Sequence, residues 1–261
     1  MEYRIGLLGS GKLGSIIATA LAEGKLPGCR LVGILGSGME RSGALAAQTG
    51  CTACADLQAL LELKPQYILE AATGAALKQH AAAILASGCH LISLSNGVYS
   101  DEAFTGELRR IALEAGTHLY MAPGVTGGFD LACAGALCGE LEATLTKYNY
   151  AKDSGKRPAG LMELPDDYEG SAREAYEMSP RHLNIGIGAG YVCGSLDKTR
   201  LHLKTVAPDQ INGFELVLKG AFGEATVTVR QGGEKCKVKG PALAAWSALA
   251  VLKRETDPIT Y

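Results

Sequence analysis

The chain has 261 residues, of which 47% are hydrophobic and 20% are charged, and its formal net charge is −2. This length is enough for a large core and two domains, while the balanced charge without a basic block argues against nucleic acid or an anionic membrane surface as a partner. No apolar run approaches the roughly 18 residues of a membrane span, and the first apolar run leads directly into a glycine loop rather than a signal peptide.

The first 122 residues alternate between short apolar runs and segments with helical spacing. Strands are predicted at residues 3–8, 30–35, 67–70, 90–93 and 118–121. Helices are predicted at residues 12–23, 39–49, 75–87 and 101–115, with a shorter helix capped by Asp56. Repeated strand–helix units of this length predict an α/β domain with a doubly wound parallel sheet over residues 1–122.

The pattern changes after residue 122. Strands are predicted at residues 143–150, 200–206, 214–219 and 225–230, and helices at residues 171–178 and 184–193, with a loop at 152–167. This mixture predicts an α+β domain over residues 123–240 with a mostly antiparallel sheet. The last segment, residues 241–261, opens with a proline that suits a first helical turn, and we expect its helix to join the first domain.

The eight cysteines are spread through the chain. Cys51 and Cys54 have the spacing of a metal-binding pair, but zinc needs a second pair or suitably spaced histidines, and the sequence offers neither. We therefore expect no metal site, and we expect reduced thiols in a cytoplasmic protein.

Three glycines, Gly9, Gly11 and Gly14, lie between the first predicted strand and the first predicted helix. In a dinucleotide-binding unit, the first permits a tight turn, the second lets the backbone reach a pyrophosphate, and the third allows close packing of helix and strand. The helix N-terminus, which includes Lys12 and Leu13, supplies N–H groups and positive charge. The context predicts NAD or NADP as the cofactor and disfavours a glycine turn without a ligand.

The second predicted strand bears on the choice between the two cofactors. Enzymes that use NAD usually end this strand with an acidic residue that binds the ribose hydroxyl. Here the strand is followed by GSGMER, with no acidic residue at the strand end. Ser37 and Arg41 can instead receive a 2′-phosphate, which favours NADP or the use of both cofactors, although Arg41 also fits a solvated charge on a helix.

Several stretches, taken in order, resemble the L-aspartate dehydrogenase family. Besides the glycine loop they span residues 68–104, 122–134, 168–186 and 212–224. The resemblance implies a Rossmann domain, an α+β domain that forms a homodimer, and oxidation of L-aspartate to iminoaspartate with NAD or NADP. It also implies a small-molecule substrate.

The resemblance places cofactor contacts at specific positions of this chain. Val125 and Asn184 match nicotinamide-side contacts of the family. Thr73, Ser95 and Gly97 match loops at the carboxyl ends of the sheet, the edge at which ligands bind in open α/β sheets.

One position departs from the family pattern in a way that concerns catalysis. Asn212 is in register with the family segment, but Phe214 stands where the family has its catalytic histidine, and a phenyl ring can neither take nor donate a proton. His182 is a candidate substitute base, with a surface or supporting histidine as the alternative. Arg181 is a candidate for holding a substrate carboxylate, with a surface charge as the alternative.

Three functions remain open at this point. The first is an NAD(P)-dependent oxidoreductase that acts on an amino acid, an imine or a related small compound, with Phe214 and Asn212 in the substrate site. The second is a catalytically weak NADP-binding sensor or regulator. The third is a different two-domain reductase, of the homoserine dehydrogenase or dihydrodipicolinate reductase type.

Overall fold

The computed structural model describes residues 2–150, 167–178, 183–206, 212–231, 236–238 and 242–260. The chain divides into two compact units, Met1–Gly124 with Pro241–Tyr261, and Val125–Gly240. Except for Asp167, the predicted loop at 152–167 lies outside the described residues.

The first unit is built on a six-stranded sheet. Its strands are β1 Tyr3–Leu8, β2 Cys29–Leu35, β3 Thr52–Cys54, β4 Tyr67–Glu70, β5 His90–Ser93 and β6 Leu119–Met121. They lie in the order β3-β2-β1-β4-β5-β6, and every pair is parallel. This order confirms the predicted doubly wound sheet, and the crossover direction reverses between β1 and β4, where such sheets bind ligands.

Helices connect these strands. They are α1 Lys12–Ala22, α2 Met39–Thr49, α3 Leu57–Glu62, α4 Gly74–Ala86 and α5 Glu102–Ala115, with a 3-10 helix at Asn96–Ser100. The central strand β1 buries Ile5 and Leu7 completely, as expected for a strand covered on both faces. The last helix of the chain, α9 (Ala242–Thr256), packs Leu249 and Leu252 into the same apolar cluster as Ile17 of α1.

The second unit is built on a five-stranded mixed sheet. Its strands are β7 Leu141–Tyr150, β8 Tyr168–Ser171, β9 Arg200–Val206, β10 Asn212–Gly220 and β11 Gly223–Gln231. In the order β11-β10-β7-β9-β8, only the β7–β9 pair is parallel, so the sheet is mostly antiparallel as predicted. Its helices are α6 Phe129–Leu137, α7 Ala172–Met178 and α8 Asn184–Val192.

One face of this second sheet carries the apolar core. Leu145 of β7, Leu201 of β9 and Leu216 of β10 lie on it, and they cluster with Ala132 of α6 and Ala189 of α8. We call this side the helix-covered face. Side chains alternate along each strand, so the register of the five strands decides which residues share it.

His90, at the start of β5, lies in surroundings that favour its neutral form. Its Nδ1 accepts a hydrogen bond from the backbone N–H of His118 at 3.0 Å, and its ring stacks on those of Tyr67 and His118. Burial, and then the charge of His118, lower the pKa of His90, while Glu255 acts in the opposite direction. Protonation would place a donor against a donor, because both ring nitrogens of a charged histidine carry hydrogen.

This arrangement predicts a loss of stability in acid. A histidine pKa that is lower in the folded chain than its unfolded value, about 6.5, means that the unfolded chain binds more protons. The contribution of His90 is therefore complete above that value and is lost as the pH falls through the lowered pKa. Urea denaturation between pH 7 and pH 5 should give a shallower pH dependence for His90→Asn, whose carbonyl oxygen still accepts from His118. An unchanged slope would contradict the assignment.

Candidate functional site

A cleft with a volume of about 510 Å³ lies at the carboxyl edge of the first unit's sheet. Its lining includes the turn after β1, the residues that follow β2 and β4, and the first turn of α4. An adjoining cleft of about 330 Å³ is lined by the first turn of α1 and by α2. Five of the residues predicted to bind cofactor line the larger cleft: Gly9, Gly11, Ser37, Arg41 and Thr73.

The three glycines of the loop after β1 have different surroundings. Gly9 has a φ of +115°, and a Cβ on it would lie 2.5 Å from the carbonyl oxygen of Ala71. A Cβ on Gly14 would lie 2.0 Å from the carbonyl oxygen of Gly9, whereas a Cβ on Gly11 would meet no atom within 4 Å. Gly9 and Gly14 therefore permit the fold, while Gly11 borders open space on the cleft.

The N-terminus of α1 opens on this space. Gly11 caps the helix without a side-chain hydrogen bond, and the first turn contains no acidic residue. The first N–H groups of a helix lack partners within the helix, and they carry partial positive charge, so this end suits a phosphate group. Lys12 is exposed and lines the adjoining cleft. Leu13 packs against the apolar core, and Gly14 is buried.

The residues after β2 border the other side of the cleft. Ser37 and Arg41 are exposed there, and within the described residues Arg41 forms no ion pair. Asp56 is the one acidic residue in the lining of the larger cleft, and its carboxylate accepts the N–H of Ala59 at 2.8 Å as the cap of α3. The cationic side chain of Arg41 therefore lines the cleft without a salt bridge to any of the described residues.

The other predicted contacts of the first unit lie near β4 and β5. Thr73 caps α4 at the cleft, where its hydroxyl accepts the N–H of Ala76 at 3.2 Å. Ser95 instead points into the protein and donates its hydroxyl to Glu70 Oε1 at 2.8 Å. Gly97 is buried in the 3-10 helix. Neither Ser95 nor Gly97 lines the two clefts described above.

Glu70 is a residue that the sequence reasoning missed. Glu70 is the last residue of β4, and its side chain is fully buried. Its carboxylate accepts hydrogen bonds from the backbone N–H groups of Ala72, Leu94 and Ser95 at 2.8, 3.2 and 3.0 Å. Burial raises the pKa of this carboxyl, and the hydrogen bonds oppose that shift. The carboxylate links the loop after β4 to the loop after β5. The available signal was an acidic residue at the end of the otherwise apolar run YILE.

The remaining predicted residues belong to the second unit. Val125 is its first residue, Asn184 is the first residue of α8, and Asn212 begins β10 opposite Gln231. Phe214 of β10 is buried, with 9% of its surface exposed. It shares the strand face of Leu216 and therefore lies on the helix-covered face.

Two predicted residues, Arg181 and His182, lie outside the described residues. The candidate base and the candidate carboxylate ligand of the sequence analysis therefore remain predictions. The candidate cofactor site rests on the first unit, where the open space at Gly11, the uncapped helix and the cation at Arg41 fit a dinucleotide.

Comparisons with known proteins match both units. The family described as homoserine dehydrogenase, NAD binding domain, matches residues 9–122, and the family described as aspartate dehydrogenase, C-terminal, matches residues 143–255. The L-aspartate dehydrogenase of Acinetobacter baylyi is 30% identical over 204 residues, covering 75% of this chain and 77% of that relative. The enzyme of the same name from Methanococcus maripaludis strain C7 is 26% identical over 265 residues, covering 98% of both chains.

A solved structure agrees with these matches at the level of the fold. The crystal structure of aspartate dehydrogenase from Thermotoga maritima has a TM-score of 0.77 to this chain, at 17% identity and with 100% of both chains covered. The predicted resemblance is therefore confirmed, and this chain belongs to the L-aspartate dehydrogenase family.

Proposed function

We propose that this protein is an NAD(P)-dependent oxidoreductase that interconverts an amino acid and its imine. The observation that carries the proposal is the open space at Gly11, which lies at the uncapped N-terminus of α1 in a cleft at the switch point of the sheet. Membership of the family supports the reaction class, and the NAD-binding match over residues 9–122 supports the cofactor.

The residues of the first unit have defined parts in this proposal. The N-terminus of α1 binds the pyrophosphate, with Lys12 adding a positive charge beside it. When bound, the nicotinamide cofactor supplies the hydride chemistry, and the protein contributes placement and electrostatics. Thr73 lines the same cleft and fixes the start of α4 through its cap.

The residues proposed for the second unit follow from the family resemblance. Val125 and Asn184 are proposed to contact the nicotinamide side of the cofactor. Ser95 and Gly97, which match loops at the carboxyl ends of the first unit's sheet, remain proposed cofactor-site residues. Phe214 cannot transfer a proton, so we expect weak oxidation of L-aspartate and a substrate that is bulkier or less polar. Arg181, His182 and Asn212 remain proposed substrate-site residues, with His182 as the candidate base.

The reaction is tested by following the absorbance of the nicotinamide. NADPH is mixed with ammonia and a panel of 2-oxo acids, and NADP⁺ and NAD⁺ are mixed with a panel of L-amino acids. We expect turnover with at least one member. Tight NADPH binding without turnover in either panel would instead support a non-catalytic binding protein, the second candidate, for which Phe214 is the supporting observation. A different two-domain reductase has less support, because the second unit matches the aspartate dehydrogenase family.

A preference for NADP is proposed from Ser37 and Arg41. A charged hydrogen bond contributes about 1.5–3 kcal/mol, so Arg41→Ala should weaken NADPH binding roughly 10- to 100-fold. NADH binding should hardly change, because NADH lacks the 2′-phosphate. Nucleotide fluorescence titration measures both dissociation constants.

The matched control for this experiment is Arg30→Ala. Arg30 lies near the other end of β2 and pairs with Glu2 at 3.1 Å, so its loss should alter neither dissociation constant. If Arg41→Ala weakened the binding of NADH as much as that of NADPH, the assignment of Arg41 to the 2′-phosphate would be wrong.

The organisation of the chain and its assembly are also proposals. We assign dinucleotide binding to residues 1–122 with the C-terminal helix in 241–261, and we assign substrate binding and dimerisation to residues 123–240. No helix among the described residues is both long and apolar enough to cross a bilayer. We propose a cytoplasmic homodimer, and light scattering after gel filtration tests the dimer by its mass.

A further inference from the structure

One face of α4 forms a side of the larger cleft. Thr73, Ala76 and His80 follow one another at spacings of three and four residues, so they share a face of the helix, and all three line the cleft. Gln79 lines it beside His80. A different face of α4, which includes Leu77, is buried in the first unit. We call the surface formed by Thr73, Ala76, Gln79 and His80 the α4 wall.

The two larger side chains of the α4 wall are available to a ligand. Within the described part of the chain, no hydrogen bond or ion pair engages the side chain of Gln79 or His80. Gln79 is exposed, and His80 is half-buried. Burial lowers the pKa of the His80 imidazole, so the ring is uncharged at neutral pH. The wall therefore offers a neutral flat ring and an amide to the cleft.

The α4 wall differs chemically from the opposite border of the cleft. The border after β2 carries the cation of Arg41, whereas Leu57 of α3 and Ala76 give the space near His80 an apolar lining. The adenosine half of a dinucleotide divides in the same way, because its phosphates are anionic and its base is a flat aromatic ring. Pockets for such ligands combine apolar and aromatic lining with a few polar groups. The α4 wall suits the base, and the border with Arg41 suits a phosphate.

We propose that His80 binds the adenine base of the dinucleotide, with its imidazole against the face of the base and the amide of Gln79 at the polar edge. This inference rests on the proposed function, and it names the part of the cofactor that the α4 wall receives. Histidine is one of the side chains on which nucleic-acid bases stack. A glutamine amide carries both donors and an acceptor, which match the amino group and the ring nitrogens at the edge of adenine.

The variants for the test are His80→Ala, His80→Phe, Gln79→Ala and the control Lys78→Ala. His80→Ala removes the ring, and His80→Phe keeps a flat ring without a titrating group. Alanine is the best helix former, so the alanine variants should keep α4 folded, and thermal unfolding without nucleotide checks this. Lys78 also belongs to α4, but it pairs with Asp101 at 2.8 Å and lines neither of the two clefts.

The measurement is calorimetric titration with two compounds, NADPH and 2′-phospho-ADP-ribose, which retains the adenine and the phosphates but lacks the nicotinamide. His80→Ala should weaken the binding of both compounds by the same factor, about 5- to 100-fold, the range for a base stacked on an aromatic side chain. Gln79→Ala should weaken both about 2- to 10-fold, the range for one neutral hydrogen bond. His80→Phe should retain most of the affinity, and Lys78→Ala should match the wild type.

The outcomes separate this inference from the proposed function. Equal affinity in the wild type and His80→Ala would overturn the inference, and so would a loss confined to NADPH, because the ring would then act on the nicotinamide half. A His80→Phe variant as weak as His80→Ala would overturn the stacking role. A wild type that binds neither compound would overturn the proposed cofactor together with this inference. The expected His80 pattern without turnover in the amino-acid panels would support the adenine assignment and count against the proposed reaction.

Discussion

Phe214→His is expected to raise turnover with L-aspartate by about 10²–10⁴-fold, the range that a positioned acid or base contributes. The family resemblance implies a catalytic histidine at this position, and residue 214 lies on β10, an interior strand of the second sheet, opposite Lys147 and Val229. An imidazole there would restore a group that can accept a proton when the amine becomes an imine. The measurement is kcat with L-aspartate and saturating NADP⁺ between pH 7 and pH 9.

The matched control for this gain is Phe222→His. Phe222 belongs to the turn between β10 and β11 and is 37% exposed, so a histidine there adds the same chemistry in a different place. NADPH binding must be retained in both variants, since loss of a buried phenyl ring also lowers the free energy of unfolding, by about 1–3 kcal/mol. A well-folded Phe214→His variant without increased turnover would show that residue 214 does not carry the family's catalytic role in this chain.

Gly11→Ala should weaken dinucleotide binding by about 10- to 100-fold while the free protein keeps its stability. Gly11 has a φ of −77° and a ψ of −168°, which alanine adopts without strain, and a Cβ there meets no protein atom within 4 Å. The added methyl group would instead occupy the space through which the proposed pyrophosphate approaches the backbone. Thermal unfolding without cofactor and titration with NADPH separate the two effects.

Gly14→Ala serves as the comparison, because it should lower the stability of the free protein instead of acting first on dinucleotide binding. Its Cβ would lie 2.0 Å from the carbonyl oxygen of Gly9, so α1 has to move away from the turn and the free protein should lose stability. Gly43→Ala, within α2 and also without a neighbour within 4 Å, should change neither property adversely. A Gly11→Ala protein that binds NADPH like the wild type would remove the main support for a cofactor at this turn.

The first unit was largely predictable because its signals are local. The predicted bounds of β1, α2, β4 and β5 agree with the structure, since each is a short apolar run or an amphipathic segment between turn residues or caps. The tight turn at Gly9 and the close packing at Gly14 were also predictable, because they follow from the strand before the loop and the helix after it. The burial of Glu70 could not be predicted, since an acidic residue at the end of a strand is equally consistent with an exposed side chain that binds a ligand.

Local sequence patterns do not predict every feature of the second unit. The strand β8 was not predicted, because Tyr168–Ser171 is only four residues long, contains glycine and lacks a clear alternation. The position of Lys147 beside Phe214 depends on the register of two strands that are distant in the chain. Register follows from tertiary packing, and a shift of one residue would have placed Lys147 on the other face.

The two borders of the larger cleft differ in whether hydrogen bonds to Glu70 hold their loops in place. On the β4 side, the buried carboxylate of Glu70 ties the loop after β4, which lines the cleft, to the loop after β5. On the β2 side, Ser37 and Arg41 are exposed, and within the described part of the chain no comparable buried carboxylate holds their loop. If Ser37 and Arg41 select the coenzyme as proposed, that preference can be redesigned through one short surface loop while the loops held by Glu70 keep their shape.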